Sequence, residues 1–294
     1  MANRRVLVKR RKSVRNIRKI TRTMQLIATA RFQAAFHRAT ATRPYTEKIT
    51  ELVAELSRHA GDVEHPLLRI NAGAGRSALL VLTSNRGLCG GYNANILRTA
   101  LDHLDARKQA GETIDLHVIG KKGAAYFKFL RLPLASTRLS MDNRPHFEEV
   151  DRIAQGFIGQ YGRREVDSVH VAYMRFHSVG RQRPEVLRLL PLLREEPPTG
   201  ETAGRAEEGV EYDFSPEPAA LLGELLPTSV KVRLFQCFTD AAVSEQVARM
   251  VAMKAATDAA GDMIKLLTRQ YNRARQTRIT TELLDIVGGA EALK

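Results

Sequence analysis

The sequence predicts a mixed α+β/α/β chain in which two long terminal helices pair as an antiparallel coiled coil around an inserted α/β domain. Three observations lead there. Apolar and small residues recur at three- and four-residue spacings over both ends of the chain. Between the ends, short apolar runs bounded by turn residues alternate with helical stretches. The terminal helical stretches are also longer than a single globular domain can wrap.

From about Ser13 to His59 the chain reads as one helix, with Ile17, Ile20, Met24 and Ile27, then Tyr45, Ile49, Leu52 and Leu56, as a heptad-like seam. Ala28, Ala30, Ala34 and Ala35 give the seam a small-residue zone that allows close approach of a partner helix. Pro44 predicts a kink rather than a stop. Helical pattern resumes near Pro218, with Pro227 close to its start, and runs to Val287, where Gly288 and Gly289 are expected to end it. Sixty-odd residues at helical rise span roughly 90 Å. Val243, Val247, Met250, Met253, Ala256, Ala260, Ile264, Leu267 and Tyr271 form its matching seam. Neither helix can bury its seam alone, and antiparallel pairing satisfies both; the alternative is that each packs separately on the α/β unit.

The middle changes texture. ALLVLTS (78–84), DLHVIG (115–120), SVHVAYMRF (168–176) and EVLRLLPL (185–192) read as strands, with helices near 94–109, 123–130 and 147–161 between them. That alternation predicts a largely parallel, Rossmann-like sheet. Residues 195–218, rich in Glu, Pro and Gly, read as an exposed loop. The expected division is therefore 1–60, the N-terminal helix; 61–215, the inserted domain; and 216–294, the C-terminal helix.

The net charge of +14 is concentrated at one end. Residues 1–46 hold 13 Lys or Arg and no acid, the first being Glu47, which leaves 33 basic and 32 acidic residues elsewhere. The N-terminal helix should meet something negative. Its few aromatics, Phe32 and Phe36, and its apolar seam argue against nucleic acid, although a basic coiled-coil nucleic-acid-binding protein is the rival reading. The Arg-rich start superficially resembles a transit peptide, but the helical pattern continues through it. No run reaches the roughly 18 apolar residues of a membrane span.

Chemistry-bearing patterns are weak. Cys89 and Cys237 make no metal or redox spacing and read as packed thiols. The eight histidines, His37, His59, His65, His103, His117, His146, His170 and His177, show no metal-ligand spacing. SNRGLCGGYN (84–93) and IGKKG (119–123) each follow a strand, yet neither has a phosphate-loop spacing, and both read as structural turns. A nucleotide-using α/β enzyme is the second rival. No catalytic residue, cofactor site or metal site is expected.

Four blocks resemble the γ subunit family of F-type ATP synthases. SVRNIRKITRTMQLIATARF (13–32) is similar to the family's opening helix. TSNRGLCGGYN (83–93) is similar to its glycine-rich turn, with Asn85 where Asp is usual. SEQVARMVAMKAATDAAGDMI (244–264) and YNRARQTRITTELLDIVGGAEAL (271–293) resemble its closing helix. The resemblance implies a non-catalytic central-stalk rotor that turns inside a ring of α and β subunits. It also implies an ε subunit alongside, a membrane c-ring beneath, and catalysis on β. It implies that Met24 faces an acidic loop of β, and that Arg275, Gln276, Thr280, Glu282 and Asp285 touch β near the bearing. Tyr212 would face the c-ring, with Ser215 standing where the family often has Glu. The paired cysteines of the chloroplast form are absent, so the resemblance implies a bacterial-type complex without thiol regulation. The chain would then sit peripherally on the cytoplasmic side of the bacterial plasma (inner) membrane.

Overall fold

The computed structural model describes residues 4–59, 65–71, 73, 75–139, 144–192 and 218–291. The element order is α1 (Arg4–His59), β1 (Arg76–Leu82), α2 (Tyr92–Gln109), β2 (Thr113–Ile119), α3 (Lys121–Phe129), β3 (Ser136–Arg138), α4 (Phe147–Gly162), β4 (Ser168–Ser178), β5 (Arg181–Leu190) and α5 (Pro218–Glu291). The expected loop at 195–218 lies outside the described residues, apart from Pro218, which begins α5. None of the described helices is long and apolar enough to cross a membrane.

The chain divides into two compact units, Met1–Ala30 with Arg249–Lys294, and Arg31–Ala248. In the larger unit the sheet runs β3-β2-β1-β4-β5. Strands β1 to β4 are parallel, and β5 returns antiparallel to β4. Strand β1 shows why both faces are covered. Ala78, Leu80 and Leu82 point to one side, against α4, Leu56 of α1 and residues 222–241 of α5. Leu79 and Val81 point to the other, against α2 and Phe127 of α3. A strand buried on both faces reads as an unbroken apolar run, as ALLVL does.

Local chemistry is visible in two of the helices. Threonine is a poor helix former, yet α1 carries many. Thr23, Thr29, Thr40, Thr46 and Thr50 each turn the hydroxyl back to a carbonyl four residues earlier, at 2.8–3.2 Å. Helix α4 opens with Glu148 and Glu149, negative charges placed where the helix dipole favours them. Pro44 and Pro227 both lie inside helices.

Two expectations need correction. Helix α1 starts at Arg4, not near Ser13. Helix α5 passes through Gly288 and Gly289 to Glu291, so the glycine pair does not end it. Glycine weakens a helix by about 1 kcal/mol relative to alanine without forbidding it, and neither of these glycines has the positive φ of a helix-ending turn. The three-residue strand β3, Ser-Thr-Arg, has no apolar signature and was not expected; its burial pattern is exposed throughout.

Candidate functional site

The site most worth building is the surface of the smaller unit, residues 4–30 of α1 and 249–291 of α5. Among the described residues, contacts at three levels join the helices there. The Arg11 guanidinium lies 5.0 Å from the Tyr271 ring centroid. The Arg18 side chain passes beside Gly261. Buried Thr257 donates from Oγ1 to Thr21 Oγ1 at 2.8 Å, and Thr21 donates to the Arg18 carbonyl at 3.1 Å. Partner numbers rise on one helix as they fall on the other, so the two segments run in opposite directions.

The buried face of α1 is not the expected one. Leu7, Thr21 and Ala28 are buried and Val14 half-buried, a strict seven-residue series. Ile17, Ile20 and Ile27 are exposed, Ile20 at 59%, and Met24 is half-buried. Of the small-residue zone, Ala28 and Ala35 are buried while Ala30 and Ala34 are exposed. Further along, Ile49 and Leu56 are buried, whereas Tyr45 and Leu52 are exposed. The sequence holds two apolar stripes at helical spacing. The one with the bulkier side chains is left outward, because the smaller residues allow the closer helix contact. On α5 the expected seam holds: Val243, Val247, Met253, Ala260 and Leu267 are buried and Met250, Ala256, Ile264 and Tyr271 half-buried.

The outward stripe sits in a strongly positive field. Arg4, Arg5, Lys9, Arg10, Lys12, Arg15, Arg18, Lys19 and Arg22 are all exposed on the same helix. An apolar stripe flanked by exposed cations suits an acidic partner that also offers apolar contact.

The last turns of α5 are bare on every side, each residue from Arg275 to Ala290 being exposed. Two faces separate at helical spacing. Gln276, Ile279, Thr280, Leu283 and Val287 form a mainly apolar face, with Ile286 beside it at 68% exposure. Arg275, Arg278, Glu282 and Asp285 form a charged face, where Arg278 pairs with Glu282 at 2.6 Å. Thr280 donates to the Gln276 carbonyl at 3.0 Å. The expected residues Gln276 and Thr280 thus share one face, and Arg275, Glu282 and Asp285 the other. Met24 is not brought to them: Thr21 pairs with Thr257, which puts Met24 some 30 Å along the helix from Arg275. Tyr212 lies outside the described residues.

In the larger unit, the glycine-rich turns act as structural braces. In α/β sheets of this kind ligands bind where strand order reverses, here between the carboxyl ends of β1 and β4. Helix α5 occupies that crevice. Tyr92 Oη donates to the Ala241 carbonyl at 3.1 Å and Ser244 Oγ to the Met174 carbonyl at 3.2 Å. A space of only about 50 Å³ remains among Thr83, Asn85, Tyr92, Ala241 and Glu245. The first amides of α3 are also engaged. Lys121 N donates to Asn85 Oδ1 at 3.0 Å, Lys122 N to the Ser84 carbonyl at 3.1 Å and Gly123 N to Thr83 Oγ1 at 3.0 Å. Gly120 is required here: its φ is +99° and a Cβ would stand 2.2 Å from the Thr83 carbonyl oxygen. The turn also holds exposed Leu88 at φ 64°. Cys89 and Cys237 are buried thiols, and burial pushes the Cys237 thiol well above its usual range.

A family model described as ATP synthase matches residues 3–293. The ATP synthase gamma chain of Rhodopirellula baltica is 48% identical over 296 residues, covering 100% of both chains. That of Leptospira biflexa is 40% identical over 293 residues, again covering 100% of both. The fold is similar to a chain of the Euglena gracilis mitochondrial ATP synthase rotor, with a TM-score of 0.64 at 19% identity, covering 94% of this chain and 98% of that one. It is also similar to a chain of the Tetrahymena thermophila mitochondrial ATP synthase central stalk and c-ring, with a TM-score of 0.59 at 20% identity, covering 81% and 99%. The length, identity and coverage of these matches leave one conclusion: the chain belongs to the ATP synthase gamma chain family.

Proposed function

We infer that this chain is the central-stalk rotor subunit of an F-type ATP synthase. It couples ion flow through a membrane c-ring to conformational change at catalytic β subunits, and it is itself non-catalytic. The observation that carries the reading is the end of α5, a helix exposed on all sides with an apolar face, in a chain matched along its whole length by gamma chains. Such a helix is stable only inside a socket built by other subunits. In this reading α1 and α5 form an antiparallel coiled coil whose stiffness transmits torque, and residues 61–215 form a Rossmann-like insert between segments 1–60 and 216–294. Met24 faces an acidic loop of β. Arg275, Gln276, Thr280, Glu282 and Asp285 line the bearing within the α and β subunits. An ε subunit sits alongside the insert, and Tyr212 meets the c-ring. The complex would lie on the cytoplasmic face of a bacterial inner membrane, to which this chain is bound only through its partners.

The test is reconstitution with the α and β subunits of the same complex. Adding this chain should produce a defined particle with ATPase activity, and a probe fixed to the insert should rotate during hydrolysis. A mixture that gains neither assembly nor activity overturns the reading. Arg22→Glu with Arg31→Glu should weaken coupling between ATP hydrolysis and ion pumping by removing the field that meets the acidic loop.

A further inference from the structure

A cavity of about 220 Å³ opens between helix α4 and the β2–β3 edge of the sheet, on the side away from α2 and α3. Its sheet wall is built from two cross-strand pairs, His117 with Ser136 and Ile119 with Arg138. Its helix wall carries Arg152, Gly156, Phe157 and Gln160, spaced to lie on one face of α4. The His117 ring is fixed from two sides, by the Ser136 hydroxyl 2.7 Å from Nδ1 and by the Phe157 ring in an edge contact at 5.1 Å.

Three features of this cavity are unsatisfied within the chain. His117 Nε2 is buried without a hydrogen-bond partner, and so is Gln160 Oε1. Among the described residues, Arg138 and Arg152 have no ion-pair partner. Buried polar groups are almost always paired, and two orphans on residues that line one cavity beside two guanidinium groups mark a place for a ligand. Burial, with the Arg138 charge nearby, holds the His117 imidazolium form down despite Asp115. When the Ser136 hydroxyl donates to Nδ1, the neutral ring carries its proton on Nε2, which can then donate to a ligand. Gln160 Oε1 is an acceptor. A ligand that satisfies both must carry oxygens that accept from His117, Arg138 and Arg152 and a hydroxyl that donates to Gln160. Gly156 leaves room for it, a Cβ there meeting nothing within 4 Å.

We propose that this cavity binds a phosphate group in its hydrogen-bearing form, as free hydrogenphosphate or as a phosphate monoester. The inference is independent of the stalk role, since none of these residues belongs to the helix surfaces described for it. The experiment uses the full-length chain at pH 6.5, with histidine side chains labelled with nitrogen-15. Inorganic phosphate, sulfate and glycerol 3-phosphate are titrated while the imidazole signals are followed, with calorimetry in parallel. Phosphate should shift the His117 Nε2 resonance saturably. Arg138→Gln and Arg152→Gln should each weaken binding about tenfold or more, as expected for losing a charge-assisted hydrogen bond. Gly156→Leu should block binding without lowering the melting temperature. Sulfate, which has no hydroxyl to offer Gln160, should bind about tenfold more weakly. Binding of glycerol 3-phosphate extends the ligand class to esters, and its exclusion confines the site to the free ion; both support the proposal. A His117 signal that never saturates overturns it. So does phosphate affinity unchanged in the Arg138→Gln/Arg152→Gln double variant, which would place the ion elsewhere on this basic chain, and so does sulfate binding as tightly as phosphate.

Discussion

The two units of the molecule solve the burial problem in opposite ways. The larger one closes its own core: side chains such as Leu79, Leu80, Phe127 and Tyr161 are almost wholly removed from water on the two faces of one sheet. The smaller one buries little, through a seam of Leu7, Thr21, Ala28, Met253, Ala260 and Leu267, and leaves Ile17, Ile20, Ile27, Leu283 and Ile286 outside. A unit that finishes its core alone can serve as a scaffold. One that leaves large apolar residues exposed presents a surface suited to other proteins.

The largest effect expected from this contrast is in the scaffold. Phe127→Ala, which empties a fully buried ring position against the sheet, should destabilise the chain by about 3–5 kcal/mol in urea unfolding. A loss below 1 kcal/mol would mean that the core is far looser than its burial implies.

A second expectation concerns pH. His170 is buried, meets the His103 ring in a tilted contact at 4.6 Å and lies 3.3 Å from an Arg107 nitrogen. Burial, with His103, Arg107 and Arg188, lowers its pKa to about 3. An unfolded histidine titrates near 6.5. Because the folded value is the lower one, the stability from keeping this ring neutral is complete above about pH 6.5 and declines as pH falls towards 3. His170→Gln should flatten that decline in thermal melts between roughly pH 6.5 and pH 4. An unaltered slope would remove His170 as its source.

Smaller again is the threonine contact of the helix seam. Thr21→Val should cost about 1 kcal/mol by leaving the Thr257 hydroxyl with only its own-helix partner, the Met253 carbonyl. The double variant with Thr257→Val should recover most of that loss, since removing both partners is nearly neutral. A double-mutant cycle in urea measures the coupling, and strictly additive losses would mean the two hydroxyls do not interact.

The smallest effect expected is at Ile20. Ile20→Ala should change the stability of the isolated chain by less than about 0.5 kcal/mol, as for most surface substitutions. The same change should weaken assembly with the α and β subunits, measured by titrating the chain into them. A large loss of stability in isolation would place Ile20 in a contact that the structure does not contain.

Much of this was legible from residues alone. ALLVL, DLHVI and SVHVAYM read as strands from their short apolar runs, and the seam from Val243 to Tyr271 reads directly as the buried face of α5. The face of α1 was not legible. Ile17, Ile20, Met24 and Ile27 and the series Leu7, Val14, Thr21, Ala28 both fit helical spacing, and hydropathy favours the stripe that stays outside. Side-chain size decides the contact, and it is visible only once the partner helix is in place. Strand β3 escaped notice because its pairing rests on backbone hydrogen bonds that Ser, Thr and Arg do not advertise. The cavity beside His117 was illegible for a related reason: its members come from separated stretches of chain, among them β2, β3 and α4, and nothing in their local sequence links them.

The seven-residue spacing of Leu7, Val14, Thr21 and Ala28 has a geometrical corollary. A straight helix slips about 20° for every seven residues, so three such intervals displace a fixed azimuth by roughly 60°. A helix that kept all four residues against one partner would wind left-handed, and the isoleucines outside would wind with it. Successive levels of such a helix would address different compass directions, and a socket around it would meet a different contour at each height.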